Sequence, residues 1–137
     1  MKIAKKIYAL ICDDIRYEEN GKISMIGVYN DDIRINQIPT ILPTLGIMIV
    51  MEGVKEPIKE VLITIKPPKA EPIIAQIATP DREEPEDDKP TNVRMLLQLS
   101  PFRIQAEGDV KINLKLPHEK KSRTVHTFKI INNEHID

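Results

Sequence analysis

One cysteine, no tryptophan and an aromatic content of 4% are the conspicuous shortages in this 137-residue chain. With Cys12 alone, an intrachain disulfide is impossible and so is a cysteine-based zinc centre. A reducing, cytoplasmic setting is therefore expected. Long apolar runs are also missing: Leu45 to Met51 falls far short of the roughly 20 residues that a membrane helix needs. The apolar stretch from Ile7 to Cys12 is too short for a secretory signal and runs straight into Asp13-Asp14. Neither export nor membrane attachment is expected.

Charge of one sign is absent as well, with 20 Lys and Arg against 21 Asp and Glu. Phosphate binding normally shows as a basic excess with aromatics or arginines placed to read bases, so nucleic acid is not an expected partner. The balance hides two opposed regions. Residues 79–91 hold six acids against two bases, whereas residues 109–129 carry Lys111, Lys115, Lys120, Lys121, Arg123 and Lys129 against Asp109 and Glu119.

Catalytic signatures are missing too. The five glycines are singletons, so no glycine-rich loop can cradle a phosphate. Ser24, Ser100 and Ser122 lack a Gly-x-Ser-x-Gly elbow. Cys12 has no base beside it and reads as a small core hydrophobe. His118, His126 and His135 are too far apart for a local ligand motif, and only His126 falls in a strand, as a surface or packed imidazole. No catalytic, cofactor or metal-ligating residue is assigned.

What the chain does have is isoleucine, 23 against 9 leucines. β-Branched side chains are stiff at χ1 and fit a pleated surface, so the bias favours strands around an aliphatic core. At 15.7 kDa the chain fits one domain, residues 1–137, large enough to bury a core without staples. Asn20-Gly21 suits a type I′ turn, because both central residues need positive φ. Residues 7–17 and 22–35 are thus predicted to pair antiparallel.

Further strands are predicted at 44–52, 59–66, 71–78, 92–100, 110–116 and 123–131. The run Ile47-Met48-Ile49-Val50-Met51 implies burial on both faces or a subunit contact. Val110, Ile112, Leu114 and Leu116 alternate with Lys111, Asn113 and Lys115, as in a half-buried strand with a solvated face. The rival reading of that lysine face is docking of an acidic partner. Ile38 to Pro43 is expected to plug an open end, with an apolar patch for another chain as the alternative. The proline-containing acidic segment 79–91 reads as a mobile loop, and residues 132–137 as a frayed tail.

About eight short strands with turns between them predict an all-β fold, a two-sheet antiparallel β-sandwich of the immunoglobulin-like or C2-like kind. The turn Glu107-Gly108-Asp109-Val110 before an alternating strand is typical of such folds. Cys12-Asp13-Asp14-Ile15-Arg16, followed by Gly21-Lys22-Ile23-Ser24-Met25-Ile26-Gly27-Val28-Tyr29, resembles the opening of a family of small, uncharacterised bacterial and phage proteins. Phe102 to Val110 is similar to that family's second landmark, where an aromatic is commoner than Val110. The resemblance implies a β-rich fold and brings no activity, ligand or catalytic residue.

The acid pairs Asp13-Asp14 and Asp31-Asp32 suggest calcium, which takes several carboxylate oxygens. A two-residue turn at Asn20-Gly21 would set Asp13 opposite Val28, Asp14 opposite Gly27 and Asp31 opposite Leu10. Residues 13 and 31 would then lie roughly 10 Å apart along the strand, too far to share an ion. The expected function is a non-enzymatic binding or assembly module whose partner is another protein. The alternative is a calcium-dependent binder or enzyme that gathers its acids from the Asp-rich loops.

Overall fold

The computed structural model describes residues 4–55, 58–78 and 91–133. Eleven strands run in the order β1 (Lys6–Tyr17), β2 (Ile23–Val28), β3 (Asp32–Ile35), β4 (Thr40–Leu42), β5 (Leu45–Val54), β6 (Glu60–Lys66), β7 (Ile73–Ala78), β8 (Thr91–Leu99), β9 (Phe102–Ile104), β10 (Gly108–Lys115) and β11 (Arg123–Asn132). They form a four-stranded sheet ordered β2-β1-β5-β8, a five-stranded sheet ordered β3-β11-β10-β6-β7, and a two-stranded sheet of β4 and β9. Every pairing is antiparallel except β3 with β11.

The all-β expectation is met, but about eight strands in two sheets becomes eleven in three. One additional strand comes from residues 22–35, which do not stay in the hairpin. The chain bends at Asn30 and Asp31, and β3 leaves to lie beside β11, where Ile33 and Ile35 are buried. The other two are β4 and β9, which pair Thr40 with Ile104 and Leu42 with Phe102. Of the crossing at 38–43, Ile38 and Leu42 pack on the core while Ile41 is exposed.

One apolar cluster fills the interior. From the four-stranded sheet it takes Ile11, Ile47, Ile49, Met51 and Met95, and from the five-stranded sheet Ile63, Ile65, Val110, Ile112, Leu114, Phe128 and Ile130. Period-2 alternation explains the membership, since residues two apart share a side of a strand. Pairs across the ladders repeat it: Ile11 with Ile47, Ile49 with Met95, Ile65 with Ile112, Val110 with Phe128.

Asn132, expected to open a frayed tail, is ordered, and residues 134–137 of that expected tail lie outside the described residues. Asn132 closes β11, is buried, and donates its backbone N–H to Glu107 Oε1 at 2.6 Å. The proposed loop at 79–91 lies outside the described residues, apart from Thr91, which opens β8.

Candidate functional site

The first hairpin turns at Asn20 and Gly21, both with positive φ (64° and 74°) as a type I′ turn demands. Its register differs by one residue from the predicted one. Cys12 pairs with Val28, Asp14 with Ile26 and Ile15 with Met25. The cause is a bulge before the turn, where Glu18 N donates to Lys22 O while Lys22 N donates to Glu19 O, so two residues oppose one. A one-residue slip exchanges the sides of a strand, so the predicted partners of Asp13 and Asp14 were one position out.

β1 pairs with β5 only between Lys6 and Cys12, because β5 begins at Leu45. Beyond that point residues 13–17 and 23–27 are a two-stranded ribbon with no third strand beside it among the described residues. The ribbon does not continue straight. Gln98 lies on β8, two places from β1 in the sheet, yet its Nε2 donates to Ile15 O at 2.7 Å and to Asp14 Oδ1 at 3.2 Å. Between them stands Gly46, on which an added Cβ would sit 2.8 Å from both Cys12 Sγ and Ile15 Cγ1. Further along, the turn residues Tyr17, Glu18, Lys22 and Ile23 share a groove of about 310 Å³ with Arg94 and Leu96 of β8. The ribbon is therefore folded back as an arm across the side of β5 and β8 that faces away from the core.

The corner of the arm is Gly27. Its φ of 68° is a conformation that side chains disfavour, and a Cβ there would overlap the Asp13 carboxylate. Sheets turn corners at such irregularities. Asp13 Oδ1 accepts a hydrogen bond from the Tyr29 hydroxyl, and burial together with that carboxylate pushes the Tyr29 phenol upward.

A second, smaller group of buried apolar residues lies outside the main cluster. Cys12, Ile15, Met48 and Val50 are all buried, yet none belongs to the main cluster. Met48 and Val50 project opposite to Ile47, Ile49 and Met51, with Leu10, Leu96, Tyr8 and Arg94 as cross-strand neighbours. The Cys12 thiol donates to Asp14 O at 3.3 Å, and burial raises its pKa. This suits packing, since a nucleophilic cysteine needs a depressed value.

The acid pairs are engaged separately. Asp14 meets Arg16 Nε at 3.3 Å, and Asp32 meets Arg34 Nη2 at 3.5 Å. Asp31 accepts from Lys129 N through its carbonyl at 3.1 Å, and its carboxylate faces His126. Among the described residues no three of His, Cys, Asp and Glu converge. His118 is exposed and His135 lies outside the described residues. His126 is partly buried against Phe128, with ring centroids 6.2 Å apart. Ser24 donates to Glu18 at 3.1 Å, Ser100 pairs with Thr44 at 2.9 Å, and Ser122 is exposed.

Gly46, Gln98, Arg94 and the fold-back itself escaped sequence reasoning. The signal was present in the unbroken run 47–51, which announced cover on both sides without naming the cover. A wider cleft of about 550 Å³ separates Lys69 and Glu71 from Pro101, Arg103 and Gln105. Its Lys69, Glu71 and Arg103 are all solvated.

These features define an all-β protein whose distinguishing site is a contact between a hairpin arm and a sheet. The chain belongs to a family of unknown function, DUF6941, whose model matches residues 7–128, in keeping with the resemblance carried by residues 12–29 and 102–110. No curated protein matches it.

Proposed function

We propose that the chain is a single-domain, non-enzymatic binding or assembly module that acts through contacts with another protein. The observation that carries this reading is the apolar surface of the first hairpin. Ile26 and Val28 are 43% and 51% exposed on β2, Leu10 is 37% exposed on β1, and Tyr17 at the arm's end is 72% exposed. Single exposed hydrophobes are ordinary, but four on one pair of strands mark a surface suited to a partner. The scaffold in this proposal is a two-sheet β-sandwich of the immunoglobulin-like kind, supported by the single cluster that inward side chains of both larger sheets share. A cytoplasmic location accords with the lone, buried Cys12 thiol.

The test is affinity capture from the native host with the wild-type chain and with an Ile26→Asp, Val28→Asp variant. Both positions are exposed, so folding should survive. A protein captured by the wild type and lost with the variant supports the reading. Equal capture by both, or turnover of a substrate by the purified chain, would overturn it.

A further inference from the structure

Four strands stand at the margins of the two larger sheets, and three of them are defended against a further strand. β3 carries Asp32 and Arg34, β8 carries Arg94, and β2 is interrupted by its corner at Gly27. β7 has none of these devices. Its six residues, Ile73 to Ala78, are uncharged and register with β6 at successive pairs without a bulge. Among the described residues no strand lies on its far side. We infer that this free edge, with the cleft that adjoins it, binds an extended peptide antiparallel to β7, whose terminal carboxylate is held by Lys69 and Arg103. The inference goes beyond the reading above, because it concerns the other large sheet and names the chemistry of the partner.

Three observations carry it. An edge strand presents a row of unpaired N–H and C=O groups, which the main chain of an added strand completes. Ile73 and Ile77 pack on the main cluster yet stay only partly buried, and Ile74 on the opposite side is 67% exposed, so an added strand would cover apolar surface on both sides. The cleft of about 550 Å³ includes Ile73 and places Lys69 and Arg103 against the single acid Glu71, with Pro67 and Pro101 as apolar walls. None of these three charged side chains has an ion-pair partner among the described residues. Pro72, directly before β7, lacks an N–H, so the ladder ends there, and a strand antiparallel to β7 reaches the cleft with its C-terminal end.

The size of the edge selects a peptide over a second copy. Six residues make an edge about 20 Å long and about 10 Å thick, roughly 200 Å². Two folded domains need about 800 Å² each for a stable contact. For a peptide, main-chain bonds along the strand supply the affinity, and the carboxylate fixes the register.

The test uses the whole chain and a synthetic probe, Lys-Thr-Val-Thr-Ile-Thr-Val with a free carboxylate, followed through amide shifts in NMR spectra. Because pairing is made by the main chain, the probe does not need a natural sequence. At about 1 mM probe, which reveals even millimolar dissociation constants, shifts should fall on residues 73–78 and on Lys69 and Arg103. Two further versions of the probe are N-methylated at one or the other set of alternate residues. One should lose binding by at least about tenfold and the other keep it, because only every second N–H of an added strand points at β7. Amidation of the probe's terminus and Arg103→Gln in the protein should each weaken binding about tenfold, as loss of a charge-assisted hydrogen bond implies, and the two losses should not add. Arg103 is exposed, so folding should survive, and the amidated probe tests the same point without a substitution. Absence of shifts along β7, equal effects of both N-methylated versions, or indifference to the carboxylate would each overturn the inference. The Ile26→Asp, Val28→Asp chain should bind the probe as the wild type does, so the two proposals fail separately.

Discussion

The two larger sheets differ on the sides that face away from the shared core. On the five-stranded sheet that side carries Lys66, Lys111, Lys115, Lys129, Thr64 and Thr127 beside Asp32 and Asp109, with Lys66 directly opposite Lys111. On the four-stranded sheet the middle of that side is Leu10, Cys12, Met48, Val50 and Leu96, with Lys6, Tyr8, Glu52, Arg94 and Gln98 around them. Antiparallel sheets usually leave one side in water, which β10 does at Asp109 and Lys111, whereas Asn113, expected on the solvated side, is buried and accepts from Thr124 Oγ1 at 2.8 Å. β5 does not, because the chain supplies its own cover in the folded-back arm. The lesson is that an unbroken apolar strand in an antiparallel sheet points to a third layer, and here that layer is the strand's own neighbour.

The sharpest way to break this comparison is to place the same charge on each outward side. Met48→Asp places an unpaired carboxylate at a buried position on that side of β5 and should lower stability by about 3 kcal/mol. Lys111→Asp on β10 should change it by no more than about 0.5 kcal/mol, because that side chain is already solvated. Urea denaturation of both variants checks the pair. Equal effects would mean that the arm does not exclude water from β5.

Gly46→Ala comes next. A methyl group there needs the space that Cys12 Sγ and Ile15 Cγ1 occupy, each 2.8 Å from the new atom. Overpacking of this kind costs roughly 1–3 kcal/mol. Its distinguishing mark would be local: hydrogen exchange should quicken at residues 14–17 and 23–26 while β10 and β11 keep their protection.

How much of this was legible beforehand follows from what each signal reports. Alternation at Val110, Ile112, Leu114 and Leu116 gave β10 its buried side correctly, because a strand with one wet side writes its orientation into every second residue. Asn20-Gly21 gave the turn, since its backbone demand is local. The register slipped by one because a bulge at Glu18 and Glu19 has no compositional mark. The corner at Gly27 was hidden for a different reason. A lone glycine in a strand is compatible with a bulge, a close approach or nothing, and only its position against Asp13, with Ile15 and Asp14 held at Gly46 and Gln98, residues distant in the chain, decides among them. No reactive constellation was assigned from the sequence, and the candidate site found here is a packing contact that no motif encodes.

Gln98→Ala removes the two hydrogen bonds that tie β8 to the arm, at 2.7 and 3.2 Å. Loss of one net hydrogen bond costs about 1 kcal/mol, and part of this contact is exposed, so the expected destabilisation is at most about that size. Gln76→Ala on β7 is the matched control, because its partner Glu60 is exposed. Urea denaturation should rank Gln98 above Gln76. The reverse order would place the arm's anchorage elsewhere.

The smallest effect is expected from His126, the one histidine of the five-stranded sheet that turns toward the interior. Burial lowers its pKa, partly opposed by the Asp31 carboxylate, and its Nε2 has no hydrogen-bond partner among the described residues. The folded chain thus holds the imidazole neutral at pH values where the unfolded chain, with a value of about 6.5, already takes up a proton. Because the unfolded state binds more protons in that window, stability rises with pH. The contribution is complete above about pH 7 and is lost as the pH falls through 6.5 towards the depressed folded value. His126→Gln does not titrate, so between pH 7.5 and 5.5 its melting temperature should fall less than that of the wild type, by about 1–2 °C. Exposed His118 is common to both chains and cancels in the difference. If the wild type instead gained stability on acidification relative to the variant, Asp31 would outweigh burial, and His126 would have to be treated as an ion-pair partner on the polar sheet.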